Sequence, residues 1–470
     1  MKFTNSKELK PNSDLILPCK KADLNKTLSK LKLQNPDFEG EFGTYLTHYT
    51  NEGNKIYVLG IGEEKDSSKI EDAFRILTFD TKKYWKNSIQ IDVNHLLDDE
   101  VLKASIGVKL ADYNIGMNKT KKEDSKDLEV CFVSQKNISA LINEGFETAD
   151  TINQIKAIVD APPNIKTPEY LGKWAKASAK KYDYSCEVLD HAELEKQGFK
   201  ALLSVGQASV NKPVAIVTQY KAKETSAIDF ALVGKGITFD TGGLSIKPST
   251  NLHYMKSDMG GASVVLGVIE LVAKLKLNIN IIGIVVSAEN AVGSNAFRPG
   301  DVIGSHSGKT IEIIDTDAEG RLALADGISY VIDNFNPEYL LDVATLTGSV
   351  VRTFGYSAAG MFTNNTEFAN ALETAGYKVH ERVWRLPMFE DYEEDLHSDV
   401  ADIRNFSGKP IAGGITAAKF VEAFTKDHKN WVHLDIAGVA FGSSKYAKMK
   451  SASGYGIQLL TTFIKDFFNA

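Results

Sequence analysis

Five short runs beyond Asn164 are almost wholly apolar and rich in β-branched residues. They are AIVTQY from Ala215, FALVG from Phe230, INIIGIVVS from Ile279, YLLDVAT from Tyr339 and WVHLDIAG from Trp431. Helical stretches lie between them, such as GASVVLGVIELVAKL from Gly261 and RLALADGISYVI from Arg321. A strand with one wet face alternates polar and apolar residues, whereas a strand covered on both faces does not. The pattern therefore predicts an α/β layer with helices on both faces of the sheet. In such sheets ligand sites gather in the loops beyond the carboxyl ends of the strands.

At 470 residues the chain exceeds the size at which one core usually keeps growing, so two domains are expected. The prediction is a smaller, variable α/β domain over 1–145, a connecting helix over 146–163, and a larger α/β domain with a mixed sheet over 164–470. In the first part NKIYVLGIG from Asn54 and LEVCFVS from Leu128 read as strands. SSKIEDAFRIL from Ser67 reads as a helix with Ile70, Phe74 and Leu77 on one face. Gly60 and Gly62 are followed by Glu63 and Glu64 with no third glycine, which is a turn rather than a nucleotide fingerprint. No catalytic constellation stands out in this half. Ala149, Ile152, Ile155 and Val159 then recur as one helix face, and the helix should stop before APPN because proline cannot continue it.

Charge and cysteine usage exclude several classes. A formal net charge of −7 argues against a nucleic-acid partner. Cys19, Cys131 and Cys186 are few, odd in number and far apart, so they read as free thiols in a reducing compartment. The amino terminus has no apolar stretch suited to a secretory signal, and IIGIVVSA from Ile281 is far too short to span a bilayer. The expectation is a soluble cytoplasmic protein with no membrane contact.

Three polar clusters fall where the strands should give way to helices. The first is VGKGITFDTGGLSIKPS, with Lys235, Asp240 and Lys247; the second is MKSDMGGAS, with Asp258 just before a helix. The third is TIEIIDTDAEGR, where a strand over Thr310–Ile314 yields to Asp315, Asp317 and Glu319 and then to a helix near Arg321. Any one of these acids alone is best read as a helix cap or a solvated charge. Together, Asp240, Asp258, Asp317 and Glu319 carry four negative charges that two divalent cations would balance. Two such ions about 3.5–4 Å apart can activate a water and polarise a carbonyl. Carboxylate ligation suits Zn²⁺, Mn²⁺ or Mg²⁺. Asp315 reads as a loop or capping acid, and Asp326 and His253 as structural. No HExxH motif exists among the nine histidines, and GKG at Gly234 lacks the flanks of a P-loop.

VGKGITFDTGG…SIKPS, MKSDMGGA, DTDAEGRLALADG and DVATLTGS strongly resemble the cytosolic leucyl aminopeptidase family, in order and spacing. The likeness continues through RVWRLPMFEDYEEDLHSDVADIRN, AGGITAAKF and WVHLDIAG, from about Asn164 onward. The resemblance implies an aminopeptidase that removes leucine and other apolar amino-terminal residues from peptides, with two divalent metal ions per subunit (Zn²⁺ or Mn²⁺). Lys235, Asp240, Asp258 and Glu319 would hold the tighter ion. Asp240, Asp317 (side chain and carbonyl) and Glu319 would hold the exchangeable one. Lys247 and Arg321 match the catalytic positions, with a bicarbonate at Arg321 as general base. Met255, Thr345, Leu346 and Gly348 match substrate-binding positions. The resemblance further implies a homohexamer. A dipeptidase or cysteinyl-glycine hydrolase of the same chemistry, or a second role in DNA binding, are the alternatives; the acidity weighs against the last. Lys235 could ligate only as a neutral amine, so neighbouring cations would have to depress its pKa. Two positions depart from the family pattern: Asp315 stands for the usual Asn and Thr241 for Ser, and the extra charge at Asp315 would tighten the metal or shift the pH optimum.

Overall fold

The protein is described by a computed structural model covering residues 1–33, 37–63, 69–121 and 127–470. It divides into two units, Met1–Asn153 and Gln154–Ala470. Glu64 after the glycine pair and the expected helix start at Ser67 lie outside the described residues; the helix itself runs Ile70–Thr81.

In the first unit the strands are β1 (Lys2–Ser6), β2 (Asp14–Cys19), β3 (Tyr45–Tyr49), β4 (Lys55–Gly60), β5 (Ser88–Asp92) and β6 (Glu129–Val133). They form one sheet in the order β1-β6-β5-β2-β4-β3, parallel except for β3. Ile70, Phe74 and Leu77 point from the helix Ile70–Thr81 into the core built on this sheet, as their spacing requires. The helix expected from Phe146 begins earlier and spans Ser139–Asp160, because Ile138 and Ile142 already bury in the first unit's core. It stops immediately before Ala161-Pro162-Pro163.

The apolar runs become the second unit's eight-stranded sheet. Its strands are β7 (Ser185–Leu189), β8 (Val214–Lys221), β9 (Phe230–Asp240) and β10 (Asn280–Asn290). The others are β13 (Tyr339–Ala344), β14 (Ala359–Thr363), β15 (Val383–Arg385) and β17 (Trp431–Asp435), while the short strands β11 (Val302–Gly304), β12 (Thr310–Glu312) and β16 (Ile403–Arg404) lie outside this sheet. The order is β15-β14-β17-β13-β9-β10-β8-β7. The central four, β17, β13, β9 and β10, are mutually parallel, while β8, β7 and β14 join antiparallel. The sheet is thus mixed, and its central carboxyl ends share one edge.

Helices cover these strands on both faces. Gly234 faces the helix Gly260–Leu275, with room for no side chain against Gly261, while Val233 touches Gly327 of the helix Gly320–Phe335. Successive strand residues point to opposite faces, so the helices lie on opposite sides of the sheet. Both strand faces are dry, which is why the sequence showed no alternation.

Two sequence expectations need correction. The acid-rich stretch does not follow a strand of the main sheet. Its strand is only Thr310–Glu312, and it pairs with β11 and β16 in a separate three-stranded sheet. The MKSD segment follows no strand either, but closes a 3-10 turn over Leu252–Ser257. Cys19 and Cys131 are buried and Cys186 half-buried, all free. Among the described residues no helix is long and apolar enough to cross a membrane.

Candidate active site

The glycine-rich stretch after FALVG stays in the sheet. Strand β9 continues to Asp240, so Lys235 lies inside the strand and Asp240 is its last residue. Pairing with β10 carries it that far, through an irregularity near Ala288–Asn290 that matches Asn290 to Asp240. On the other side β13 pairs only as far as Gly234 and then turns away at Thr345. Lys235 occupies that opening. Its Nζ lies 2.9 Å from Asp258 Oδ2 and 2.9 Å from Glu319 Oε1, and donates to the Thr345 carbonyl at 3.0 Å. Gly320, the first residue of its helix, makes this possible: a Cβ there would sit 2.5 Å from Lys235 Nζ.

A second lysine closes the other half. Lys247 Nζ pairs with Asp240 Oδ2 at 2.8 Å and contacts Asp317 Oδ1. Asp240 Oδ1 accepts from the Gly242 amide and from Asn290 Nδ2, both at 2.8 Å. The chain can reverse after Asp240 because Gly242 adopts φ +84°, and a Cβ there would lie 2.8 Å from Asp317 Oδ1. Thr241 donates to the Asn290 carbonyl and accepts from the Gly243 amide. Its hydroxyl therefore performs the bonding a serine could.

The loop carrying Asp317 and Glu319 has little regular structure of its own and is held from a distance. Asn405, fully buried, accepts from the Ile314 amide at 2.8 Å and donates to the carbonyls of Asp315 (2.6 Å) and Ala318 (3.3 Å). Asp315 turns the loop by accepting from the Asp317 amide at 2.9 Å, which an asparagine would do equally. Arg321 is buried, and its Nη1 donates to the Asn405 carbonyl at 2.9 Å.

The charges are arranged so that like and unlike groups balance. Burial opposes the charge on Lys235, but Asp258, Glu319 and Asp240 outweigh it and hold the ammonium above its ordinary pKa. Lys247 is shifted the same way, with burial overcome by Asp240, Glu319 and Asp317. Burial raises the Asp258 and Glu319 carboxyls, and it pushes Asp317, beside Asp240 and Glu319, up to about 7. Burial pulls the Arg321 guanidinium down to about 10 against Glu319, Asp315 and Asp435, so it remains a cation at neutral pH.

The Thr345–Gly348 turn borders this cluster. Thr345 Oγ1 donates to Asp258 Oδ1 at 2.9 Å, and Leu346 is half-buried while Gly348 is exposed at the start of the helix Gly348–Phe354. Met255 is half-buried in the 3-10 turn, and its carbonyl accepts from the Asp258 amide at 3.3 Å. The structure thus links Lys235, Asp258, Glu319 and Thr345 in one contact set and Lys247, Asp240 and Asp317 in another. Asp240, Asp317 and Glu319 join the two sets, each offering an oxygen within 4.8 Å of the others. Asp326, accepting from the Leu202 and His306 amides, and exposed His253 stand outside, as their sequence setting suggested.

Residues 153–461 match the family described as "Cytosol aminopeptidase family, catalytic domain". The chain belongs to the cytosol aminopeptidase family. A probable cytosol aminopeptidase of Chlorobium luteolum is 44% identical over 310 residues, 66% of this chain and 61% of that protein. This chain therefore matches about three fifths of that relative's length. A second, of Rickettsia rickettsii, is 40% identical over 374 residues, 77% of this chain and 74% of that protein. The crystal structure of a cytosol aminopeptidase from Coxiella burnetii superposes with a TM-score of 0.86 at 28% identity, covering 99% of each chain.

The donor set fits divalent cations. Among the described residues Glu319 Oε2 is buried with no hydrogen-bond partner, and a buried carboxylate oxygen left unpaired is costly unless a cation meets it. The sequence reading overlooked Asn290 and Asn405, which aim Asp240 and the acid-rich loop. Neither sits beside the acids in the chain, so only long-range pairing reveals them.

Proposed function

We propose that the chain is a metal-dependent aminopeptidase that hydrolyses the first peptide bond of peptides, favouring leucine and other apolar amino-terminal residues. The observation that carries this reading is the convergence of Asp240, Asp317 and Glu319, with one oxygen of each inside 4.8 Å, on two buried lysines. Lys235, Asp240, Asp258, Asp317 and Glu319 would hold two divalent ions, Zn²⁺ or Mn²⁺. Bound there, such ions supply Lewis acidity and a water of lowered pKa. Lys235 can join them only after losing its proton, so loading the site releases protons.

The remaining roles fall to side chains. Lys247 stays protonated and donates to the oxyanion of the tetrahedral intermediate, a contribution worth roughly 3–4 kcal/mol for a preorganised donor. Arg321 presents a planar cation to a small oxyanion such as bicarbonate, which would accept the proton of the attacking water. This accounts for the lack of a histidine in the constellation. Thr345, Leu346 and Gly348 align the substrate backbone, and Met255 lines an apolar pocket for the first side chain. Discrimination there is modest, about 1–3 kcal/mol per methylene, so the specificity is broad. A hexamer in the cytoplasm is the setting we propose from the family resemblance.

The test is metal analysis of purified protein, with leucyl-amide hydrolysis after stripping and re-adding Zn²⁺, Mn²⁺ or Mg²⁺. Activity should vanish and return with metal, and Asp258→Ala or Glu319→Ala should abolish it without unfolding the chain. Turnover by fully stripped protein, or by either variant when metal-saturated, would refute the assignment.

A further inference from the structure

We propose that Asp435 is the positioning residue that sets the Thr345–Gly348 turn for substrate, a role that rests on the function proposed above. Asp435 ends β17, where the parallel register places it beside Ala344, the last residue of β13. From there its carboxylate reaches across to the turn that follows β13. Oδ1 accepts from the Leu346 amide at 3.1 Å and from the Ala437 amide at 3.1 Å, and Oδ2 accepts from Thr347 Oγ1 at 2.7 Å. Thr347 Oγ1 in turn accepts from the Val350 amide at 3.1 Å and so caps the helix Gly348–Phe354.

The turn is thereby pinned at both ends. At Thr345 the carbonyl meets Lys235 and the hydroxyl meets Asp258; at Leu346 and Thr347 the single carboxylate of Asp435 takes both groups. Asp435 has no exposed surface. A buried carboxylate costs free energy unless its donors are in place, so its three bonds fix one geometry of the turn rather than several. Among the described residues Asp435 makes no hydrogen bond or ion pair with the cluster acids or with either cluster lysine, so its influence on metal should be small and its influence on peptide binding large. That split separates positioning from general support of the fold.

The experiment uses metal-loaded full-length Asp435→Ala, Asp435→Asn and Thr347→Val. Asp435→Ala should raise KM for a leucyl dipeptide at least tenfold, with Zn²⁺ affinity by calorimetry within threefold of wild type. Asp435→Asn should recover KM to within threefold, because an amide oxygen can serve both backbone amides while its nitrogen meets Thr347. Hydrogen exchange at the Leu346 amide should quicken in Asp435→Ala and recover in Asp435→Asn. If Asp435→Ala does not fold, Thr347→Val, which removes the bond to Asp435 together with the Val350 cap, should still raise KM two- to fivefold. An unchanged KM in the folded variants, or Zn²⁺ affinity falling in parallel with KM, overturns the proposal. A wild-type protein without hydrolysis overturns the proposed function instead, and is told apart by that.

Discussion

Asn405 donates its side-chain amide to the Asp315 carbonyl at 2.6 Å across ninety positions of sequence. That bond and its companions to Ile314 and Ala318 hold one side of the acid-rich loop, while Thr316 ties the other side to Gly242, Ser245 and Asn290. Because Asp317 and Glu319 ride on this loop, Asn405→Ala should weaken divalent metal binding by about 10- to 100-fold, the usual scale for losing a group that orients ligands. Calorimetric titration of Zn²⁺ or Mn²⁺ into stripped protein measures it, and saturating metal should restore much of the hydrolysis.

Lys247 occupies the opposite position, as a cation competing for Asp240 and Asp317. Lys247→Met should reduce kcat by about 10²- to 10³-fold through loss of an oxyanion donor. The same variant should bind metal at least as tightly as wild type. Steady-state kinetics beside calorimetry will read the two effects separately; weaker metal binding would mean that Lys247 supports the ions instead.

Gly320 leaves no space for a side chain against Lys235 Nζ. Lys235 is buried and tied to three groups, so it cannot simply swing aside. Gly320→Ala should therefore lower metal occupancy and hydrolysis together, by roughly the same 10- to 100-fold. Metal content by mass spectrometry at fixed free Zn²⁺ gives the answer.

Burial pushes the Asp326 carboxyl from 3.8 up to about 7, against the backbone donors Leu202 and His306. The folded protein thus holds this proton more firmly than the unfolded chain. The associated stability is present in full below about pH 4 and is lost as the pH rises toward 7, levelling above it. Denaturant unfolding of Asp326→Asn should show a flatter dependence between pH 4 and 7 than wild type. Parallel curves would remove Asp326 as the source.

Much of the fold was legible because it rests on local repetition. Ile70, Phe74 and Leu77 share a helix face by spacing alone, and runs such as INIIGIVVS signal strands buried on both sides. The stretch VGKGITFD was misleading. Its glycines and lysine resemble a loop, yet β10 pairs with it to the end and makes it strand. The acid-rich stretch misled in the opposite direction, since its short strand belongs to a separate small sheet.

The sequence by itself determined the two-sided α/β layer, the identity of the acids and lysines, and the family to which their spacing belongs. Those properties depend on residue type and on neighbours a few positions away. Only the tertiary structure decided that Lys235 reaches both Asp258 and Glu319, that Asn405 shapes the loop of Asp317, and that Asp435 grips the turn after Thr345. Each joins segments separated by dozens of residues. Such contacts follow from sheet register and from where a neighbouring strand ends, and local periodicity carries neither.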